Sequence, residues 1–295
     1  MDRVVVLGSN GQVGRAWIQL LGHAKAIAAT REEADLSHPE KYLAYLDAQM
    51  PSAVINAGAY TQVDLAEKEE VLAHKINAEA PGKIAQWCAS KNIPFVHFST
   101  DYVFPGTGHQ PWKETHTPHP LSVYGKTKAQ GEENVRASGA RHLIFRTSWV
   151  YDGQGKNFLN TMLKLGRDRE SLKIVSDQVG APTYAPDLAR ASWEALQSAL
   201  KMPQFPFGIY HLCNGGETTW FGFAQKIFEI ARRQGISLRI KDVVPISSSD
   251  YPTPAERPKN SRLCTEKMQN VFGIQLPEWQ KSLELCMKSF PGAVL

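Results

Sequence analysis

The chain has 295 residues, 42 % of them hydrophobic and 21 % charged, with a formal net charge of +4. These fractions match a globular chain long enough to bury a sizeable core, and they exclude a disordered one. The mildly basic balance suits an anionic ligand, but no Lys/Arg run interleaved with aromatics marks a nucleic-acid surface. No apolar run reaches the roughly 18 residues of a membrane span.

In chain order, Arg3–Leu7 is a β-branched run and reads as the first strand. It enters Gly8-Ser-Asn-Gly11-Gln12-Val13-Gly14, after which Trp17, Ile18, Leu20 and Leu21 recur at helical spacing. Strand, glycine turn and helix in that order form the setting in which a dinucleotide pyrophosphate is held. Gly8 permits the tight turn, Gly11 the approach of the phosphates, and Gly14 close packing of helix on sheet. The helix N-terminus then offers free N–H groups to the pyrophosphate. The second strand, Ala26–Ala29, ends on Thr30-Arg31 with no acid directly there. An acid would favour a free ribose 2′-hydroxyl and an arginine accommodates a 2′-phosphate, so Arg31 leans the cofactor towards NADPH over NADH. Asp35 and Leu36 are placed over the adenine.

Further strands are predicted at Ala53–Asn56, Phe95–Ser99 and Leu143–Thr147, with helical patterns over Leu72–Ser90 and Thr127–Ala137 between them. Strands alternating with helices give an α/β class, with a Rossmann-type doubly wound parallel sheet over residues 1–148. After that the texture changes to loops rich in Gly, Pro, Thr and Asn. Residues 149–295 are expected to form mainly a smaller, loop-rich α/β substrate domain, with Ala185–Leu200 returning as a helix that covers the sheet. Another helical pattern spans Phe221–Arg233.

The chemistry concentrates at two places. Ser122-Val-Tyr124-Gly-Lys-Thr-Lys128 opens a helix on which Tyr124 and Lys128, four apart, share a face. A phenol of ordinary pKa about 10 needs help near neutrality, and a neighbouring ammonium lowers that pKa. Such a pair can deliver a proton to an oxygen made anionic by hydride. Thr100 and Asp101 close the strand at the end where such sheets hold ligands, so a hydroxyl there can bond the reacting carbonyl. Four dispersed cysteines (Cys88, Cys213, Cys264, Cys286) argue for free thiols in a reducing cytoplasm. His109, His116 and His119 lie in a loop with nothing to fix them on one face, so no metal site is expected.

These features together resemble the extended short-chain dehydrogenase/reductases. The runs FSTDYVFPGTGHQPW, SVYGKTKAQGE, LIFRTSWVY, DQVGAPT and YPTPAERPKNSRL resemble the dTDP-4-dehydrorhamnose reductase family from about residue 3 to about residue 285. The resemblance implies reduction of the C4 ketone of dTDP-4-dehydro-6-deoxy-L-mannose by NAD(P)H, the last step of dTDP-L-rhamnose synthesis. It makes Tyr124 the proton donor, Lys128 the holder of the nicotinamide ribose and the group that depresses Tyr124, and Thr100 the ligand of the ketone oxygen, with Asp101 beside it. It places Trp149 on the sugar, Gly11, Gln12 and Val13 on the pyrophosphate, and Ala59, Tyr60 and Thr61 along the cofactor. Arg257 and Arg262 are candidates for the diphosphate of the dTDP-sugar, the alternative being pairing with Glu256 or Glu266. Some family members form a magnesium-bridged homodimer, but no motif places such Mg2+ ligands here.

Two other readings stand beside this one. An NDP-sugar epimerase or dehydratase, or a reductase of a neighbouring 6-deoxy NDP-sugar, could use the same scaffold, although a dehydratase would want an acidic pair where Thr100-Asp101 offers one acid. A non-catalytic regulatory subunit of methionine adenosyltransferase shares the resemblance, although Thr100, Tyr124 and Lys128 are intact.

Overall fold

Short β-branched runs form strands here because both of their faces are covered. In the computed structural model, which describes residues 1 and 3–288, β1 (Val4–Leu7) is buried along its whole length. Its side chains alternate: Val4 and Val6 enter one apolar cluster, and Val5 and Leu7 the opposite one. The same alternation holds in β3 (Ala53–Asn56) and β5 (His142–Thr147). Together with β2 (Ala26–Ala29), β4 (Phe95–Thr100) and the edge strand Gly208–His211, these form a parallel sheet. Its order is edge strand, β5, β4, β3, β1, β2.

Strand order reverses between β1 and β3, and ligands of open α/β sheets lie outside the strand ends at that point. One face of the sheet is covered by α1 (Gln12–Leu21) and by the helix Ala185–Ala199, which packs Leu188, Ala189, Ala195 and Leu196 into the cluster of Val4 and Trp17. Trp17 and Trp193 join the two helices edge to face at 5.9 Å. The other face is covered by α2 (Pro39–Gln49) and by the helix Ala80–Ser90.

A separate apolar cluster lies among the helices Phe158–Asp168, Trp220–Arg233 and Trp279–Lys288 and the parallel strand pair Ser171–Val175 and Asp242–Ile246. The end of the expected second region, residues 289–295, lies outside the described residues.

The expected helix over 72–90 differs in one respect. Residues Glu70–His74 and Ala80–Ser90 are α-helical, but Lys75–Glu79 between them is a π-turn. The wider turn turns Asn77 inwards, where it is 1 % exposed. Turns of this kind concentrate at functional sites. The edge strand Gly208–His211 had no sequence signal of its own, because its residues are too few to show a period.

Candidate active site

Three backbones meet at the reversal point, and only glycine permits it. Gly8 has φ +73°, and a Cβ there would stand 2.5 Å from the Cα of Gly58. A Cβ on Gly14 would overlap the carbonyl of Gly8. Helix α1 therefore starts directly against the turn, with Gly11 as its first cap and no side chain capping it. Its leading N–H groups face outward at the strand ends, as a pyrophosphate requires. The cradle that a Cβ would fill and the uncapped helix start both fit a dinucleotide.

Gln12 is only partly available to such a ligand. Its amide donates to Val150 O at 3.2 Å and accepts from Asn157 at 3.0 Å, fastening α1 to the region after β5. What remains for a phosphate at Gln12 is the backbone N–H. At the end of β2, the exposed Arg31 pairs with Asp35 at 3.3 Å. Asp35 also accepts from Ser37 N and Oγ at 2.9 and 2.7 Å, and its carboxyl lies below the ordinary value despite burial, because of the Ser37 and Arg31 bonds. Leu36 fills the space over Gly58, its Cδ1 2.7 Å from where a Cβ would stand.

After β3, residues Ala59, Tyr60 and Thr61 run past the same crevice. Tyr60 N donates to Asn77 Oδ1 at 2.9 Å, and Asn77 Nδ2 returns to Tyr60 O at 3.1 Å and to Thr127 Oγ1 at 3.2 Å. One side chain of the π-turn thus joins the segment along the crevice to the helix Val123–Ala137. Nothing in the sequence announced Asn77, since a π-turn has no residue signature.

The helix Val123–Ala137 is capped by Ser122, which accepts from Gly125 N at 3.2 Å, and by Glu67, which accepts from Val123 N at 2.9 Å. It brings Tyr124 and Lys128 to the end of β4, where Thr100 and Asp101 lie. The Thr100 hydroxyl acts on the Tyr124 phenol, favouring its charged form. It also donates to Asp101 Oδ1 at 3.0 Å and accepts from Tyr102 N at 3.2 Å. Tyr102 meets Tyr124 edge to face at 5.5 Å.

Burial dominates the charges of this group. Burial pushes the Tyr124 phenol up to about 12, with Thr100 pulling it down and Asp101 pushing it up, and Lys128 is not among the groups that act on it. The Lys128 ammonium donates instead to Phe98 O at 2.6 Å and lies 3.3 Å from His97 Nε2. Burial lowers Lys128 to about 8, opposed by Glu132. The other ring nitrogen of His97 lies 3.2 Å from Asn56 Nδ2, and Asn56 Oδ1 accepts from Gly58 N at 3.2 Å. His97 and Asn56 thus connect Lys128 to the glycine crevice. Their signal in the sequence was a lone polar residue within each apolar strand.

Asp101 is 2 % exposed, and burial raises its carboxyl from 3.8 to about 6, although the nearby Ser261 and Thr100 hydroxyls pull it down. The folded carboxyl holds its proton more tightly than the unfolded one. The contribution of this group to stability is therefore greatest below about pH 4, falls as pH rises to about 6, and above that is lower by about 3 kcal/mol. Asp101→Asn is expected to melt several degrees above the parent at pH 8 and at the parent's temperature near pH 3.5. Melting curves at the two pH values check this; an equal difference at both would refute it.

Beyond Tyr102 opens a cavity of about 1690 Å³, whose wall includes Phe158, Gln178, Trp220, Arg257 and Arg262. Trp220, not singled out from sequence, stacks on Trp149 at 3.7 Å, and its indole N–H donates to Gln178 at 3.1 Å. Trp220 stands in the wall, whereas Trp149 lies between it and Gly180. Trp149 has φ +50°, a strained conformation for a bulky residue and one that clusters at functional sites.

Both candidate arginines reach the cavity, but each already holds a carboxylate, and neither is paired with Glu256 or Glu266. Arg257 grips Asp64 at 2.7 and 3.0 Å, and Arg262 grips Glu217 at 2.5 and 3.3 Å. These partners lie far away in sequence, so spacing could not reveal them. Among the described residues no group of three or more His, Cys, Asp or Glu is arranged to hold a metal ion, so the magnesium implied by resemblance finds no support here. Among the same residues no helix is long and apolar enough to cross a membrane.

Residues 2–291 match the family described as RmlD substrate binding domain. The chain is 43 % identical to dTDP-4-dehydrorhamnose reductase of Salmonella typhimurium and 44 % identical to that of Escherichia coli K12, covering 94 % of each chain in both cases. Its fold superposes on dTDP-4-dehydrorhamnose reductase of Bacillus anthracis in complex with NADP. The TM-score is 0.90 at 33 % identity, over 98 % of this chain and 99 % of that one. UDP-glucose 4-epimerase of Thermus thermophilus, at 21 % identity and a TM-score of 0.78, shares the fold.

Proposed function

Because this chain belongs to the RmlD family, that of the dTDP-4-dehydrorhamnose reductases, we propose that it reduces the C4 ketone of dTDP-4-dehydro-6-deoxy-L-mannose with NADPH. The product is dTDP-L-rhamnose, and the step is the last of its synthesis. The observation that carries the reading is the meeting of Thr100, Tyr124 and Lys128 at the end of β4, beside a glycine crevice built for a dinucleotide.

When bound, the nicotinamide supplies a hydride to the ketone carbon. Gly8, Gly11, Val13 and Gly14, with the backbone N–H of Gln12, would hold its pyrophosphate, and Arg31 would leave Asp35 to meet the ribose 2′-phosphate. Lys128, anchored on Phe98 O, presents its remaining N–H groups to the nicotinamide ribose. Tyr124, held at about 12, keeps its proton at neutral pH, which is the state a donor needs. It passes that proton to the oxygen that becomes anionic as hydride arrives. Thr100 bonds the same oxygen and holds the phenol in place. The stacked pair Trp149 and Trp220 supports the sugar, and Arg257 and Arg262 exchange their carboxylates for the diphosphate. In this division residues 1–148 with the helix Ala185–Ala199 hold the cofactor, the rest hold the dTDP-sugar, and the enzyme works in the cytoplasm.

The test is a coupled assay in which an upstream dehydratase and epimerase generate the 4-keto sugar from dTDP-glucose. NADPH and NADH are then supplied separately. Cofactor oxidation that yields dTDP-L-rhamnose, faster with NADPH, is expected. No oxidation with either, beside an active control reductase, would refute the reading. Arg257→Ala is expected to raise the KM for the dTDP-sugar roughly tenfold or more, the worth of a charge-assisted hydrogen bond. Its KM for NADPH should stay near the parent's, and an unchanged sugar KM would remove Arg257 from the site.

A further inference from the structure

One buried ion pair belongs to no ligand contact described above. Glu132 and Arg146 are each 1 % exposed, and Arg146 donates to both oxygens of Glu132, at 2.8 and 2.5 Å. Ser99 Oγ donates to Glu132 at 2.5 Å. The Arg146 guanidinium lies 4.9 Å over the ring of Phe104. Buried ion pairs are weak stabilisers, often replaceable by apolar side chains without loss. Stability alone therefore does not account for this one.

Its position does. Ser99 precedes Thr100 on β4. Glu132 stands one turn beyond Lys128, which stands one turn beyond Tyr124, so the three share a helix face. Arg146 lies on β5, three residues before Trp149, and Phe104 ends the turn that carries Asp101. One cluster thus ties together the elements that carry each proposed catalytic group. The groups facing Lys128 are His97 and the Phe98 carbonyl from β4 and Tyr124 and Glu132 from its own helix, with Arg146 of β5 behind Glu132. Among them Glu132 is the carboxylate, and its charge attracts the Lys128 ammonium.

We propose that Glu132, clamped by Arg146 and Ser99 one helical turn beyond Lys128, is a positioning residue that fixes the helix face carrying Lys128 for the reduction. The inference rests on the roles given to Lys128 and Tyr124 under the proposed function. Glu132 touches neither sugar nor cofactor and acts through Lys128.

The test compares Glu132→Gln, Glu132→Asp and the double variant Glu132→Gln/Arg146→Met with the parent. Glu132→Gln leaves Arg146 an uncompensated buried cation and is expected to lose stability. The double variant removes both charges and is expected to fold, with a parent-like circular dichroism spectrum. Its kcat/KM should fall about tenfold, and the alkaline limb of its pH profile should move down, because the lost Glu132 charge is nearer Lys128 than the lost Arg146 charge. Glu132→Asp keeps the charge and should keep the limb near the parent's position. A folded double variant with the parent's pH profile and turnover would overturn the proposal, as would a limb that moves equally in Glu132→Asp. A parent without reductase activity would instead defeat the functional reading, which separates the two failures.

Discussion

Tyr124→Phe is expected to lower kcat by roughly 10²–10⁴-fold, the usual worth of a placed general acid. Removing one hydroxyl leaves the ring in its edge-on contact with Tyr102 and leaves the helix capped by Ser122 and Glu67. Lys128 keeps its anchor on Phe98 O. The KM for NADPH should therefore stay within about twofold, well under the 1.4 kcal/mol that a tenfold change represents. The loss should appear in turnover, because the proton is needed only as the ketone oxygen becomes anionic. Steady-state kinetics against each substrate give the split. Turnover near the parent's would mean that another group supplies the proton, and Asp101, reached through Thr100, would be the first alternative.

Lys128→Met carries two effects of opposite sign. Turnover should fall by about 10²-fold or more and the KM for NADPH should rise about tenfold, because the ribose loses its charged donor. Stability should rise. Burial lowers Lys128 from 10.5 to about 8, so the folded chain releases this proton more readily than the unfolded one. The charged lysine therefore costs about 3 kcal/mol below pH 8, a cost that fades as pH climbs to about 10.5. Methionine removes it and fills a similar volume. The variant should melt above the parent at pH 7 and lose that advantage by about pH 10.5. A variant less stable at pH 7 would show that the bond to Phe98 O outweighs the desolvation of the charge.

Most of the fold was legible because its strands are continuous apolar runs between breakers and its first turn is written in glycine. Gly8, Gly14 and the β1 run predicted the crevice, and the four-residue spacing of Tyr124 and Lys128 predicted their shared face. What could not be read are the meetings of distant residues. Asp64 lies 193 positions from Arg257, and Glu217 45 positions from Arg262, so their pairing follows only from the tertiary fold. Trp149 drew attention through its motif, while Trp220 had no motif and yet supplies the ring in the cavity wall. The balance of charges around Tyr124 could not be read for a related reason. Spacing shows that a lysine is near, but burial and the competing bond to Phe98 decide whether its charge reaches the phenol.

The π-turn at Lys75–Glu79 has a consequence for phase. An α-helix advances 3.6 residues per turn, so one residue more or less rotates everything beyond it by about 100°. Before the turn, Ala73 packs beside Tyr60; after it, Ile84, Ala85 and Cys88 pack on the sheet. The wide turn takes up one such residue, so that one continuous helix presents both faces correctly. Deleting a single residue there would restore regular winding and leave the sheet-facing stripe in phase, but it would remove the wide turn that brings Asn77 inward to Tyr60 and Thr127. A change that the helix absorbs without losing its phase would thus cut the side-chain link that Asn77 makes between the segment along the crevice and the helix of Tyr124.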